Sequence, residues 1–423
     1  MKTNKTLLSC AVAFGLASVS TFTQAAGFQL AEYSATGLGR AYAGEAAMAD
    51  NASAQWRNPA MLTYLEGTQV SAGAIYVNPN VDVQGTVNHA QLGKTHASSN
   101  DFAHDAVIPN FYLSRQLNEQ VALGFALGTN YGMETDLGTE FAASHFGNQA
   151  SVISKEANLN IAYQILPQLS IGGGVRYVMG EGHFGATAPA KNALKLPQGT
   201  TLKYMEGEDT SWGWQVGSAW QINQDHRVGF AYKSEVVMDF EGHAEGVSYG
   251  SYKPGMMSVT LPATAELASF HRLNDQWAIH ASINWTDWSS FKELTAVFPE
   301  KSDLIKSENW EDNYRFALGT TYQYDAKLAL RAGVAYDTSA VDDKNRTATI
   351  PETDRTWVSV GGSYVATPQL TLDAGFTYIF AKDATINEPR DASDQTAAAI
   401  GGAFTGNVSG NVWLIGVQAN YRF

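Results

Sequence analysis

Apolar side chains in this chain recur at every second position, in stretches long enough to cross a bilayer. The final stretch, VWLIGVQANYRF, puts Trp413, Ile415, Val417, Ala419, Tyr421 and Phe423 on one face. The face opposite turns polar toward its end, through Gln418, Asn420 and Arg422. Strict period two marks a β-strand, because successive side chains point to opposite sides of the backbone. Trp277, Ile279, Ala281, Ile283 and Trp285 repeat the pattern, as do Leu370, Leu372, Ala374, Phe376, Tyr378 and Phe380. Each stretch spans about 9–11 residues, the length a tilted membrane strand needs. The faces opposite carry Gly, Ser, Thr, Asn and Asp, which suits a polar lumen better than a soluble core. A periplasmic β-sandwich could supply any one such strand; a membrane barrel accounts for all of them.

The start of the chain agrees with export. Lys2 and Lys5 form a basic leader, Leu7 to Phe22 is apolar but too short to span a bilayer, and Thr23-Gln24-Ala25 offers small residues for cleavage. Residues 1–25 therefore read as a signal peptide, with Ala26 first in the mature chain. The lipoprotein-like LLSC at 7–10 has too little apolar sequence before it to serve. Cys10 is the only cysteine, so the mature chain lacks disulfides and thiolate metal ligands. Removing Lys2 and Lys5 from 27 basic residues leaves 25 against 41 acidic ones, a formal charge of −16. Nucleic acid is an unsuitable partner at that sign. No Pro/Ser linker divides the sequence.

Short turn signals recur at 116–120, 165–169, 222–226, 272–276, 322–327 and 365–370, each flanked by alternating sequence. Long polar stretches separate them, near 79–107, 134–151, 185–210, 243–257, 293–311, 338–353 and 383–408. Six tight turns join six strand pairs. A first strand near Thr68–Asn78 and a last near Ser409–Phe423 bring the expected total to fourteen. Alternating short and long connections match the periplasmic turns and external loops of outer-membrane barrels. Trp220, Trp277, Tyr324 and Tyr364 fall beside the short turns, where an aromatic girdle belongs.

Residues 26–66 break the pattern. They are Gly- and Ala-rich, with short helical runs at Ala46–Ala49 and, behind an Asn58 cap with Pro59 as first helical residue, at Ala60–Leu65. A fourteen-stranded barrel has a lumen wider than side chains alone can fill. Backbone off the strand ladder is tolerated at membrane depth only inside protein or a wet cavity. The expectation is a hatch folded into the lumen (26–66), followed by a transmembrane barrel (67–423), an all-β fold with fourteen antiparallel strands. A periplasmic tail is the alternative.

The mature start, AGFQL and GLGRAYAGEAAMADNASAQWRNPA, resembles that of the long-chain fatty acid transporter (FadL) family of outer-membrane proteins. The similarity continues through SAGAIYVNPNVDV, TNYGMETD, YKSEVVMDFEG, DQWAIHASINWTDWSSF, YRFALGTTYQYD and NRTATIPETDR. It is weakest near 85–100, 185–208 and 243–256. The resemblance implies a plugged fourteen-stranded barrel that passively carries long-chain fatty acids or other hydrophobic molecules. It implies release sideways through a gap where the third strand is kinked. Asn58, Pro59 and Ala60 match the family's hatch motif, and Asn130, Tyr131 and Gly132 match the kink. Phe28 matches a residue near the internal ligand, and Lys306 a basic residue that meets its head group. His183 stands nearest to where the family has a second basic residue, an Arg. That departure leaves room for aromatic hydrocarbons as cargo.

Other chemistry finds little support. His89, His96 and His104 share one loop without metal-ligand spacing and read as solvated. GVSYG (246–250) matches the serine-hydrolase pattern, but sits in a polar external stretch rather than a strand–turn–helix elbow. No catalytic residue, metal or cofactor is expected, and no phosphate loop occurs. Expected partners are hydrophobic small molecules, outer-membrane lipid and lipopolysaccharide, and the barrel-assembly machinery through Phe423. A monomer is expected. An adhesin or phage-binding role for the external loops is the reading from another class.

Overall fold

In a computed structural model, residues 27–423 are described, so the leader over 1–25, its cleavage site and Cys10 lie outside the described residues. The described chain is one closed antiparallel barrel of fourteen passes. Seven passes are interrupted, which makes twenty-one strand segments. The first strand, Thr68–His89, pairs with the last, Ala403–Arg422, from Gln69↔Arg422 to Asn88↔Ala403. That pairing leaves the sheet no free edge. All six short connections fall where the turn signals place them.

The fourth strand, Gln149–Leu166, shows how the wall is built. Leu159 and Ile161 are 61% and 54% exposed, while Asn158 and Asn160 are 0% and 4% exposed. A soluble protein reverses this arrangement; here the apolar face meets lipid. Trp220, Trp277, Tyr324 and Tyr364 are all exposed beside the short turns.

The long connections are less loop-like than their composition implies. The stretch 243–257 is almost entirely paired strand, with Val236–Gly246 and Gly250–Leu261 joined by a three-residue turn. Ser248 of GVSYG sits in this β-turn, not on a nucleophile elbow. Much of 79–107 and 185–210 is also strand. Above the bilayer neither face needs to be apolar, so alternation of hydrophobicity disappears while the backbone ladder continues. Gln395–Gly401 adds a helix between the last two strands that the sequence reading lacked. His89 corrects another expectation: it is buried, its Nδ1 accepting from Gln91 N and Leu92 N and its Nε2 lying 3.2 Å from Ala399 O. His96 is exposed, and His104 pairs with Glu134.

Residues 27–67 are packed within the ring of strands. They form short helices at Ala35–Leu38, Glu45–Ala47, Ala54–Arg57 and Pro59–Tyr64, with Leu38, Ala46, Gln55, Asn58 and Ala60 fully buried. The run expected at Ala46–Ala49 is this tighter, earlier Glu45–Ala47 turn. Asn58 does cap the last helix, Oδ1 accepting from Ala60 N at 3.0 Å, and Pro59 opens it. Asn58 Nδ2 also donates to Ala46 O (2.6 Å) within the segment and to Ser218 O (3.0 Å) on the sixth strand, Thr201–Asn223. Tyr112 Oη on the second strand, Ala106–Gln116, donates to Tyr33 O, and Arg315 Nη2 on the lower segment of the tenth, Asn313–Gln323, to Ala41 O. The wall thins where this backbone presses on it: a Cβ on Gly217 would collide with Asn58 Oδ1, and one on Gly229 with Ala46 O.

Candidate ligand cavity and wall opening

The wall around one lumen cavity reverses the phase of the rest of the barrel. In the upper segment of the seventh strand, Val236, Met238 and Phe240 are buried, whereas Val237, Asp239 and Glu241 face outward and are exposed. In the eighth, Met257, Val259 and Leu261 share the inward face. Of these, Phe240, Met257 and Val259 line a cavity of about 870 Å³, its open mouth included, and Val236, Met238 and Leu261 pack in the apolar cluster beside it. Phe184, Met205, Leu294, Phe298 and Ile350 complete much of its surface.

Phe28 closes one side. Its ring lies 4.6 Å from Trp288, 5.5 Å from Phe291 and 6.1 Å from both Trp310 and Tyr131. Trp288 comes from a short helix, Trp288–Ser290, that interrupts the ninth strand between Trp277–Thr286 and Glu293–Val297, and Trp310 from the break in the tenth between Ser302–Ser307 and Asn313–Gln323. Gly27 has φ +62°, and a Cβ there would strike Trp288 and Trp310, so glycine both permits the backbone and makes room for the aromatic box.

Lys306 and His183 line the same cavity. Lys306, on Ser302–Ser307, is 4% exposed; its Nζ donates to Thr349 Oγ1 at 3.3 Å and lies 4.9 Å from the centre of the Phe184 ring. Among the described residues no carboxylate oxygen lies within 4.0 Å of that ammonium. Two acids stand farther off. Glu308 accepts from Trp310 Nε1 at 3.2 Å and lies 3.9 Å from Arg390. Glu388, in the external connection before the last strand, is held up to about 7 by burial, against the pull of Lys306 and Arg390. His183 is half-buried on the fifth strand, Leu169–Thr187, stacks on Tyr204 at 6.0 Å and stands opposite Glu206 in the ladder.

Beside the end of the cavity closed by Phe28, the ladder between the second and third strands is interrupted. The third strand runs Val121–Gly128, breaks, and resumes at Gly132–Asp136. Its ladder with the second strand, Ala106–Gln116, ends at Phe111↔Leu127. Above that point the two strands meet again only at the isolated Ala103↔Thr135 bridge and through Asp136 N donating to Phe102 O. The N-terminal segment covers the break from inside: Leu30 N donates to Asn130 O at 2.7 Å and Gly132 N to Phe28 O at 2.8 Å. Asn130, Tyr131 and Gly132 thus sit at the interruption, directly against the residue that closes the cavity. Asn58, Pro59 and Ala60 lie elsewhere in the N-terminal segment, against the fifth and sixth strands. Sequence reasoning had not singled out the Trp288–Phe291–Trp310 box, Glu308, Arg390 or Glu388. The phase reversal over Val236–Phe240 was the one signal available for the cavity wall.

Comparison with known proteins agrees with this architecture. The family described as outer membrane protein transport protein (OMPP1/FadL/TodX) matches residues 16–423. A long-chain fatty acid transport protein of Escherichia coli O6:H1 is 33% identical over 455 residues, covering 99% of each chain. Outer membrane protein P1 of Haemophilus influenzae is 34% identical, covering 100% of each. Among solved structures, a Pseudomonas aeruginosa FadL homologue superposes with a TM-score of 0.85 at 21% identity, covering 94% of this chain and 100% of its own. The Pseudomonas putida toluene transporter TodX does so at 0.70 and 17%, with the same coverage.

Proposed function

Because the chain belongs to the OMPP1/FadL/TodX family of outer-membrane transport proteins, we propose that the hydrophobic compounds it carries are long-chain fatty acids. The protein is an outer-membrane β-barrel transporter and not an enzyme. The observation that carries the fatty-acid reading is Lys306, an ammonium on an apolar cavity with no carboxylate of the described chain within 4.0 Å. An acyl tail gains roughly 0.8 kcal/mol for each methylene it buries, enough to drive entry without an energy source. The head group then has one place to go. A partly desolvated charge-assisted hydrogen bond to Lys306 contributes on the order of 1.5–3 kcal/mol. Phe28 and its aromatic box bar the way down. Displacing the segment around Phe28 and Leu30 uncovers the break in the third strand, and the ligand leaves sideways into the bilayer rather than through the hatch.

A second reading, aromatic hydrocarbons, draws on the aromatic box itself, and one fold relative, TodX, is a toluene transporter. Growth of a deletion strain carrying this gene, on oleate and on toluene as sole carbon source, separates the two. The fatty-acid reading expects restored growth on oleate. Restored growth on toluene alone overturns it.

A further inference from the structure

A second buried lysine lies beside the break in the third strand and is unaccounted for by the cavity. Lys233 ends the lower segment of the seventh strand, His226–Lys233, and is 5% exposed. Its Nζ donates to Asn130 Oδ1 at 3.2 Å and lies 4.4 Å from the centre of the Trp56 ring. Among the described residues it forms no ion pair within 4.0 Å. The carboxylate that faces it, Glu156, is already committed. Arg176 binds Glu156 through Nε to Oε1 and Nη2 to Oε2, both at 2.8 Å, and Asn130 Nδ2 donates to Oε2 at 2.5 Å. Arg57, the other cation nearby, pairs with Glu266 at 3.1 Å. Glu156 is therefore taken up by Arg176 and Asn130, and the Lys233 amine is left, among the described residues, with a neutral acceptor and an aromatic face, a buried polar group that an incoming carboxylic head group can hydrogen-bond.

Its position suggests which anion. Asn130 belongs to the break in the third strand, its carbonyl accepts from Leu30 N, and the next residue, Tyr131, packs against Phe28 at the end of the cavity. A ligand that passes Phe28 toward the opening meets Asn130 and Lys233 next. We propose that Lys233 is a second carboxylate-binding site, a station at the wall opening that receives the fatty-acid head group after it leaves Lys306. There the carboxylate accepts from Nζ in place of the Asn130 side chain, while Trp56 offers an apolar face to the first methylenes. This inference rests on the fatty-acid reading above. A lysine kept only to tie Asn130 in place is the competing role.

The test uses the full-length protein in liposomes, with oleate and the uncharged oleyl alcohol as probes. The variants are Lys233→Met, Lys233→Gln and Lys233→Arg, each checked for a folded barrel by its resistance to SDS before heating. For the first two, equilibrium oleate binding should stay within about twofold of wild type, and oleate transfer should slow by about tenfold or more. Oleyl alcohol transfer should be unchanged, and Lys233→Arg should keep oleate transfer fast. Equal slowing of both probes would mean that Lys233 only holds Asn130, and no slowing of either would remove it from the route. Lys306→Ala separates this failure from that of the underlying reading. If that variant treats both probes alike, the fatty-acid assignment falls. If it discriminates while Lys233→Met does not, only the station falls.

Discussion

At the scale of single residues, the cavity turns on how few charges an apolar wall can hold. Lys306 has a potential competitor for the ligand in Glu388, whose carboxyl titrates near neutrality because burial disfavours its charged form. Its folded value of about 7 lies above the ordinary 4.5, so it is neutral below that pH and anionic above it. A bound fatty acid whose carboxylate pairs with the Lys306 ammonium is held ionised across this range by that partner. Oleate binding should therefore weaken by about threefold to tenfold as pH rises from about 6 to 8, while Lys306 gains an internal partner. Glu388→Gln should flatten that profile in a fluorescence titration; an unchanged slope would show that Glu388 does not compete. The residues of this site were legible only through family resemblance. Phe28, His183 and Lys306 are far apart in sequence, and period-two reasoning tells inward from outward without telling which inward side chains meet across a lumen. Glu388 carried no sequence signal at all, because its effect depends on burial by loops packed on loops.

At the scale of elements, the hatch and the third strand are each specified locally but positioned by the wall. The Asn58-Pro59 start of the last hatch helix could be read from sequence, because a capping side chain and a proline are local devices. The glycines that receive the hatch could not, since Gly217 matters only for the backbone opposite it. Gly217→Val should displace the segment around Asn58 and raise leakage of small polar solutes through a barrel that still folds; normal leakage would mean that the hatch does not seal against this strand. The break at Asn130 demands a different check. Cysteines at the Ala103 and Thr135 bridge add the only thiols to residues 27–423. Oxidation to a disulfide should slow oleate uptake by about tenfold, because the uncovered gap below the bridge can no longer widen to pass the ligand, and reduction should restore it. Uptake at full rate with the bond formed would exclude release between the second and third strands. Strand bounds were legible within the bilayer and illegible above it. Over 243–257 the hairpin keeps its ladder, but both faces are polar, and nothing in the sequence separates that from a loop.

At the scale of the whole molecule, the barrel is an inverted protein with one patch turned back. Most strands send apolar side chains to lipid and Asn, Ser, Gly and Thr inward; the upper seventh and eighth strands send Val236, Met238, Phe240, Val259 and Leu261 inward, and Phe240 and Val259 face an apolar space. That space, with Lys306 on its wall, is the central claim: a cavity that takes a long tail and reads one carboxylate. Titration of wild type and Lys306→Ala with oleate and with oleyl alcohol tests it most directly. The account predicts that the substitution weakens oleate binding by about tenfold to a hundredfold, the equivalent of one charge-assisted hydrogen bond, and barely changes binding of the alcohol. Equal losses for the two ligands would contradict it.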